Sequence, residues 1–174
     1  MEVDMFRRST SYLLVALLLV AACRGTTTSS DDSASQDPII GTWVSEGTNV
    51  APILFNPPLR IRRIQATFNR DGSYTVVQRD SAGVELTLRG TYVTTPGGAT
   101  GANANIRNIT ANQTSPTALT AQGIYEVSGN RMRYEVAQVQ PPLQGVTPPT
   151  ATAGFGSTSG GAFGQANVQV YIRQ

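Results

Sequence analysis

Gly123-Ile124-Tyr125-Glu126-Val127-Ser128, then Gly129-Asn130, then Arg131-Met132-Arg133-Tyr134-Glu135-Val136 reads as two strands and the turn between them. A two-residue Gly-Asn loop suits a tight hairpin, because glycine supplies the positive φ that a type II′ turn needs. The register that follows sets Tyr125 opposite Tyr134 and Val127 opposite Met132 on one face, with Glu126 opposite Arg133 on the other. The hairpin therefore has an apolar inside and a charged outside. On that outside Glu126 and Glu135 each lie near an arginine, and solvated ion pairing is the expectation for both.

The same reading extends in both directions along the chain. Asn69-Arg70-Asp71-Gly72 spells a type I turn with glycine in the left-handed region, a three-residue loop that places Ile64, Ala66, Phe68, Tyr74 and Val76 on one side. Val84, Leu86, Leu88, Gly90 and Tyr92 alternate with Glu85, Thr87, Arg89 and Thr91, which continues the half-buried pattern into a third strand. Weaker strands are expected around 41–45, 105–111 and 168–173. About eight short strands, with no helical period between them, argue for an all-β fold: an antiparallel up-and-down meander curled into a small barrel. Residues 94–102 read as a loop. A longer connection, 141–167, is rich in Pro, Gly, Thr and Ser with Phe155 and Phe163 scattered through it, and no charge falls between Glu135 and Arg173. A segment of this kind is a lid, a passive cover or a disordered loop.

The amino terminus carries a different message. Arg7 and Arg8 precede an apolar run from Tyr12 to Ala22, bounded by small residues, in the layout of a secretory leader. The run is shorter than the ~20 residues a spanning helix needs. Val20-Ala21-Ala22-Cys23 resembles the lipobox of bacterial lipoproteins, and Cys23 is the only cysteine of the 174 residues. The resemblance implies cleavage before Cys23, attachment of acyl chains such as palmitate, and a membrane-anchored protein. Arg24 after the cysteine implies the outer membrane, if the cell has one. Glu2 and Asp4 are out of place in a positive flank, which leaves Met1 and Met5 both open as the start. The organisation expected is a leader over 1–22, a lipidated cysteine and polar tether over 23–37, and a folded domain over 38–174. Such a tether, Thr- and Ser-rich, has a root-mean-square reach of ~20 Å.

A second resemblance lies within the domain. Gly41-Thr42-Trp43, the Phe68-Asn69-Arg70-Asp71-Gly72-Ser73-Tyr74 hairpin and Gly90-Thr91-Tyr92 resemble the small lipocalin-like lipoproteins of bacteria, most clearly over 39–93. The resemblance implies that Trp43 closes one end of the barrel with Arg173 packed on it. The chain departs from the main lipocalin pattern in lacking a Thr-Asp-Tyr motif and in ending at Gln174, with no helix after the last strand.

Composition removes most chemistry. The chain has no histidine and no lysine, and its thirteen basic residues are all arginine against eleven acidic ones. Imidazole bases, histidine metal sites, Ser-His-Asp triads and Schiff-base lysines are excluded, and the one thiol is taken by the anchor. Asp71 and Asp80 fall in turns, which accounts for their carboxylates. No enzyme, cofactor or metal is expected. A formal net charge of +2 without a basic run gives no footprint for nucleic acid. Arg62 reads either as a solvated residue at the start of a strand or, by its parity with Ile64, Ala66 and Phe68, as a group at the barrel mouth able to meet an anion.

Two functions from different classes are consistent with this. In one, a lipid-anchored barrel binds a small apolar or amphipathic ligand against Tyr74, Tyr92, Tyr125 and Tyr134, with Phe155 over the mouth. In the other, side chains fill the barrel and the protein is an envelope structural or interaction module. An apolar cavity of a few hundred Å³ favours the first and a packed interior the second.

Overall fold

The Gly129-Asn130 hairpin forms in the register its sequence dictates, with Tyr125 paired to Tyr134, Glu126 to Arg133 and Val127 to Met132. Gly129 sits at φ +59 while Asn130 keeps an ordinary φ, as a type II′ turn demands. The computed structural model describes residues 36–174. The leader, Cys23 and nearly all of the tether lie outside the described residues.

Eight strands follow one another: β1 (Gly41–Glu46), β2 (Ile61–Phe68), β3 (Ser73–Asp80), β4 (Glu85–Pro96), β5 (Arg107–Ser115), β6 (Leu119–Ser128), β7 (Arg131–Gln140) and β8 (Gln169–Arg173). Each pairs antiparallel with the next, and β8 returns to β1 through Trp43 opposite Arg173 and Val44 opposite Ile172, closing the barrel. The fold is all-β, an antiparallel up-and-down meander. β4 runs on to Pro96, into the stretch 94–102 whose one proline and three glycines read as loop. Two inward glycines let the sheet curl: a Cβ on Gly90 would meet the Asn112 carbonyl oxygen at 2.1 Å, and one on Gly123 the Glu135 carbonyl oxygen at 2.0 Å. Only glycine permits that approach.

The meander sends the connections to two ends. At one, the turns after β2, β4 and β6 gather with the segment leading into β1. Here Trp43 is fully buried; its indole N–H donates to the Ile39 carbonyl at 2.6 Å, and the Arg173 guanidinium lies 4.1 Å above the ring while donating to the Pro38 and Ile40 carbonyls. Ile39, Tyr125 and Met132 fill the space beneath. This end is shut.

Asp37, assigned by composition to the tether, belongs to this plug. Its carboxylate accepts from the Ile39 N–H at 3.0 Å, the Tyr125 hydroxyl at 2.6 Å, the Thr94 hydroxyl and the Arg107 guanidinium at 3.2 Å.

The opposite end carries the connections after β1, β3, β5 and β7, including a single helical turn, α1 (Pro52–Phe55). Large apolar side chains stay exposed on them and at the start of β4: Ile53, Leu59, Val84 and Leu143 on the connections and Leu86 on the strand. Val84 and Leu86 thus belong to an open rim, although their alternation reads as half-buried strand.

The long connection 141–167 is ordered into turns and short 3₁₀ segments; its middle lies against the outside of the barrel, while its last stretch, Gly164–Asn167, packs on α1 at the open end. Phe155 packs with Ile106, Ile124 and Ala151 on that outer wall, beneath the Arg133 guanidinium at 4.0 Å. The expected solvated Glu135 is instead fully buried. Its outward parity is as read, but the connection covers it. Glu135 accepts from the Gly156 N–H at 2.6 Å, the Thr158 N–H at 3.1 Å and the Thr158 hydroxyl at 2.5 Å, so a buried carboxylate is satisfied by the segment that hides it.

Candidate ligand-binding cavity

The interior above the plug is not filled. Ala111 on β5 faces Ala121 on β6 across the ladder, and two small side chains at adjacent inward positions leave a gap that larger residues would close. A cavity of about 240 Å³ results, opening toward the rim. Phe68, Tyr74, Tyr134 and Tyr171 form its floor, and Ile64, Val76, Leu88 and Val136 its walls. Nearer the mouth Gln78, Gln113, Gln169 and Asn167, the last from the end of the long connection, join Leu54 and Leu119.

The floor is an aromatic cluster. Tyr134 and Tyr171 meet edge to face with centroids 6.1 Å apart, and Phe68 stands 6.2 Å from Tyr74 and 6.4 Å from Tyr134. Burial pushes the Tyr134 phenol well above the usual tyrosine range, helped by the nearby Tyr171 and Tyr74, and burial alone raises Tyr171 and Tyr74. All three are neutral phenols at physiological pH. Among the mouth amides, Gln169 is committed to protein: its carbonyl accepts from the Ala51 N–H at 2.8 Å and its amide donates to Ser45. The Gln113 amide donates to the Thr117 carbonyl at 2.8 Å.

Among the described residues no Asp, Glu or Arg lines the cavity. Its polar groups are phenols and amides, which hydrogen-bond but supply no acid–base pair at neutral pH. Among the described residues no group of three His, Cys, Asp or Glu is placed to hold a metal.

The residues singled out from the sequence part company here. Tyr74 and Tyr134 line the cavity. Tyr92 and Tyr125 do not: the Tyr92 hydroxyl donates to the Asn69 carbonyl at 2.8 Å, and the Tyr125 hydroxyl donates to Asp37 and accepts from the Arg107 Nε at 2.8 Å, all in the shut end. Phe155 is on the outer wall, away from the mouth. Arg62 stacks 3.9 Å over the Phe55 ring and donates to the Phe55 carbonyl at 2.7 Å, outside the cavity. The bulge between Ile61 and Arg63 breaks the parity on which its inward reading rests. Trp43 and Arg173 come together at the shut end. Cys23 lies outside the described residues.

Tyr171 and Gln169 were not picked out, although a signal for them exists. Inward alternation counted back from Arg173 through Gln169-Val170-Tyr171-Ile172 selects both.

In comparisons with known proteins, no family model, no curated protein and no solved structure matches the chain.

Proposed function

We propose that this protein is an exported lipoprotein of lipocalin-like type, anchored through lipid on Cys23, whose barrel binds a small apolar or amphipathic ligand. The observation that carries the binding half is the cavity: about 240 Å³, uncharged, mostly apolar, shut at one end and open at the other. Ligand sites are commonly concave, apolar and sparsely polar in this way. The volume limits the ligand to a single ring or a short chain, since a dry cavity of about 150 Å³ already accepts benzene. The anchoring half rests on the lipobox Val20-Ala21-Ala22-Cys23 and on the absence of any other cysteine.

The interaction-module reading draws on one observation, the exposed Ile53, Leu59, Val84, Leu86 and Leu143 around the open end. Contiguous exposed apolar surface often marks a contact site, and a rim of this kind also serves ligand access.

Native mass spectrometry of the protein taken from its own membrane tests both halves. The binding reading expects a retained small molecule that Ala121→Phe, filling the gap between β5 and β6, excludes. The anchoring reading expects acyl mass on Cys23 and release of the protein from membranes by Cys23→Ser. Protein that never carries a small molecule and binds no single-ring probe would favour the interaction module.

A further inference from the structure

All five tyrosines of the described residues point into the barrel, and they divide cleanly. Tyr92 and Tyr125, in the shut end, have their hydroxyls bonded to protein. Tyr74, Tyr134 and Tyr171, on the cavity floor, have no hydrogen-bond partner for theirs among the described residues. Tyr74 is only 7% exposed and Tyr171 6%, so neither reaches the outer surface in any substantial way. Yet among the described residues no buried side-chain oxygen is sealed off without a partner. The three hydroxyls therefore open on the one space they share, the cavity.

We propose, on the reading that the cavity binds a ligand, that this ligand is uncharged and carries a carbonyl or hydroxyl group that enters first and is held by Tyr74, Tyr134 and Tyr171. The apolar walls take its body. A pure hydrocarbon would desolvate three phenols and leave them unmet, which is costly. An anion would shed its water with no cation to receive it, because no arginine is among the lining residues and Arg62 is spent on Phe55. A cation would find no carboxylate. A neutral oxygen both accepts from phenols and, as a hydroxyl, donates to them.

Three single-ring probes of similar size separate these cases: acetophenone, ethylbenzene and benzoate. The full chain, labelled with 3-fluorotyrosine and purified in detergent, is titrated with each and read by fluorine NMR. Acetophenone is expected to move the resonances of Tyr74, Tyr134 and Tyr171 while leaving Tyr92 and Tyr125 in place, and to saturate at several-fold lower concentration than ethylbenzene. Tyr134→Phe and Tyr171→Phe keep the rings, identify the signals, and should each weaken acetophenone by about three- to tenfold with ethylbenzene unchanged. Unshifted Tyr92 and Tyr125 signals in each variant show that it is folded.

Equal binding of acetophenone and ethylbenzene, indifferent to the Phe variants, would overturn the oxygen-first orientation and leave the apolar cavity standing. Tightest binding by benzoate would overturn neutrality. No shift of any floor tyrosine with any probe would overturn both this inference and the ligand-binding reading beneath it.

Discussion

Asp37 gathers four donors on one carboxylate, and that makes it the residue through which acid reaches the fold. Burial pushes its pKa up, but the hydrogen bonds from Thr94, Tyr125 and the Ile39 amide, with the charge of Arg107, outweigh burial and hold it below the ordinary aspartate value. A carboxyl depressed in the folded state contributes stability that is complete above its unfolded pKa and is lost as pH falls through the folded one. Asp37→Asn is thus expected to lower stability at neutral pH by on the order of 1 kcal/mol. The gap between variant and wild type should close below about pH 4. Urea midpoints across that range measure it, and a gap that stays constant in acid would assign the effect to packing. Glu135 shows where reading by residue stops. Its outward parity follows from the hairpin register, but what covers the outside arrives some twenty residues later in the chain, and alternation carries no information about that. Arg62 fails for a local reason, since one bulge residue shifts every parity beyond it.

Among the elements, the hairpins at Asn69–Gly72 and Gly129–Asn130 were legible because turn chemistry and alternation agree there. Asp71 accepts from the Ser73 N–H at 2.9 Å, and Gly72 takes φ +80, the geometry its sequence encodes. The long connection was not legible. Phe155, Thr158 and Asn167 follow no period, and each is placed by a contact with the barrel: the outer-wall cluster, Glu135, and the Val136 carbonyl at 3.0 Å. Phe155 and Thr158 make the connection a cover for the outer wall, and Asn167 ends it at the cavity lining. Phe155→Ala is accordingly expected to lower stability by about 1–3 kcal/mol, a fall of ~2–4 °C in Tm for each kcal/mol in a domain of this size. The loss should be the same with or without a cavity probe such as acetophenone. Weakened probe binding with an unchanged Tm would instead make the segment a lid.

At the scale of the whole molecule, the barrel and its shut end were readable from strand number and from Gly41-Thr42-Trp43, whereas the cavity was not. It depends on Ala111 and Ala121 meeting across β5 and β6, a fact of register between strands that neither sequence stretch states alone. The seam is the other feature set only on closure. β1 and β8 meet through Trp43 with Arg173 and Val44 with Ile172, reinforced by the Gln174 N–H donating to the Thr42 carbonyl at 3.0 Å. Arg173 locks it from the side by stacking on Trp43. Arg173→Ala should therefore speed hydrogen exchange at the β1 and β8 amides before it affects β6 and β7, and uniform acceleration would show that the lock is not local. A closed barrel offers no unpaired strand to a neighbour. Once this seam parts, β1 and β8 become two complementary edges on one molecule, each able to pair with its counterpart on the next. If lipid on Cys23 holds the protein on a membrane, as proposed, such edges would meet often in two dimensions, and the stack of Arg173 on Trp43 is one of the contacts that keep them covered.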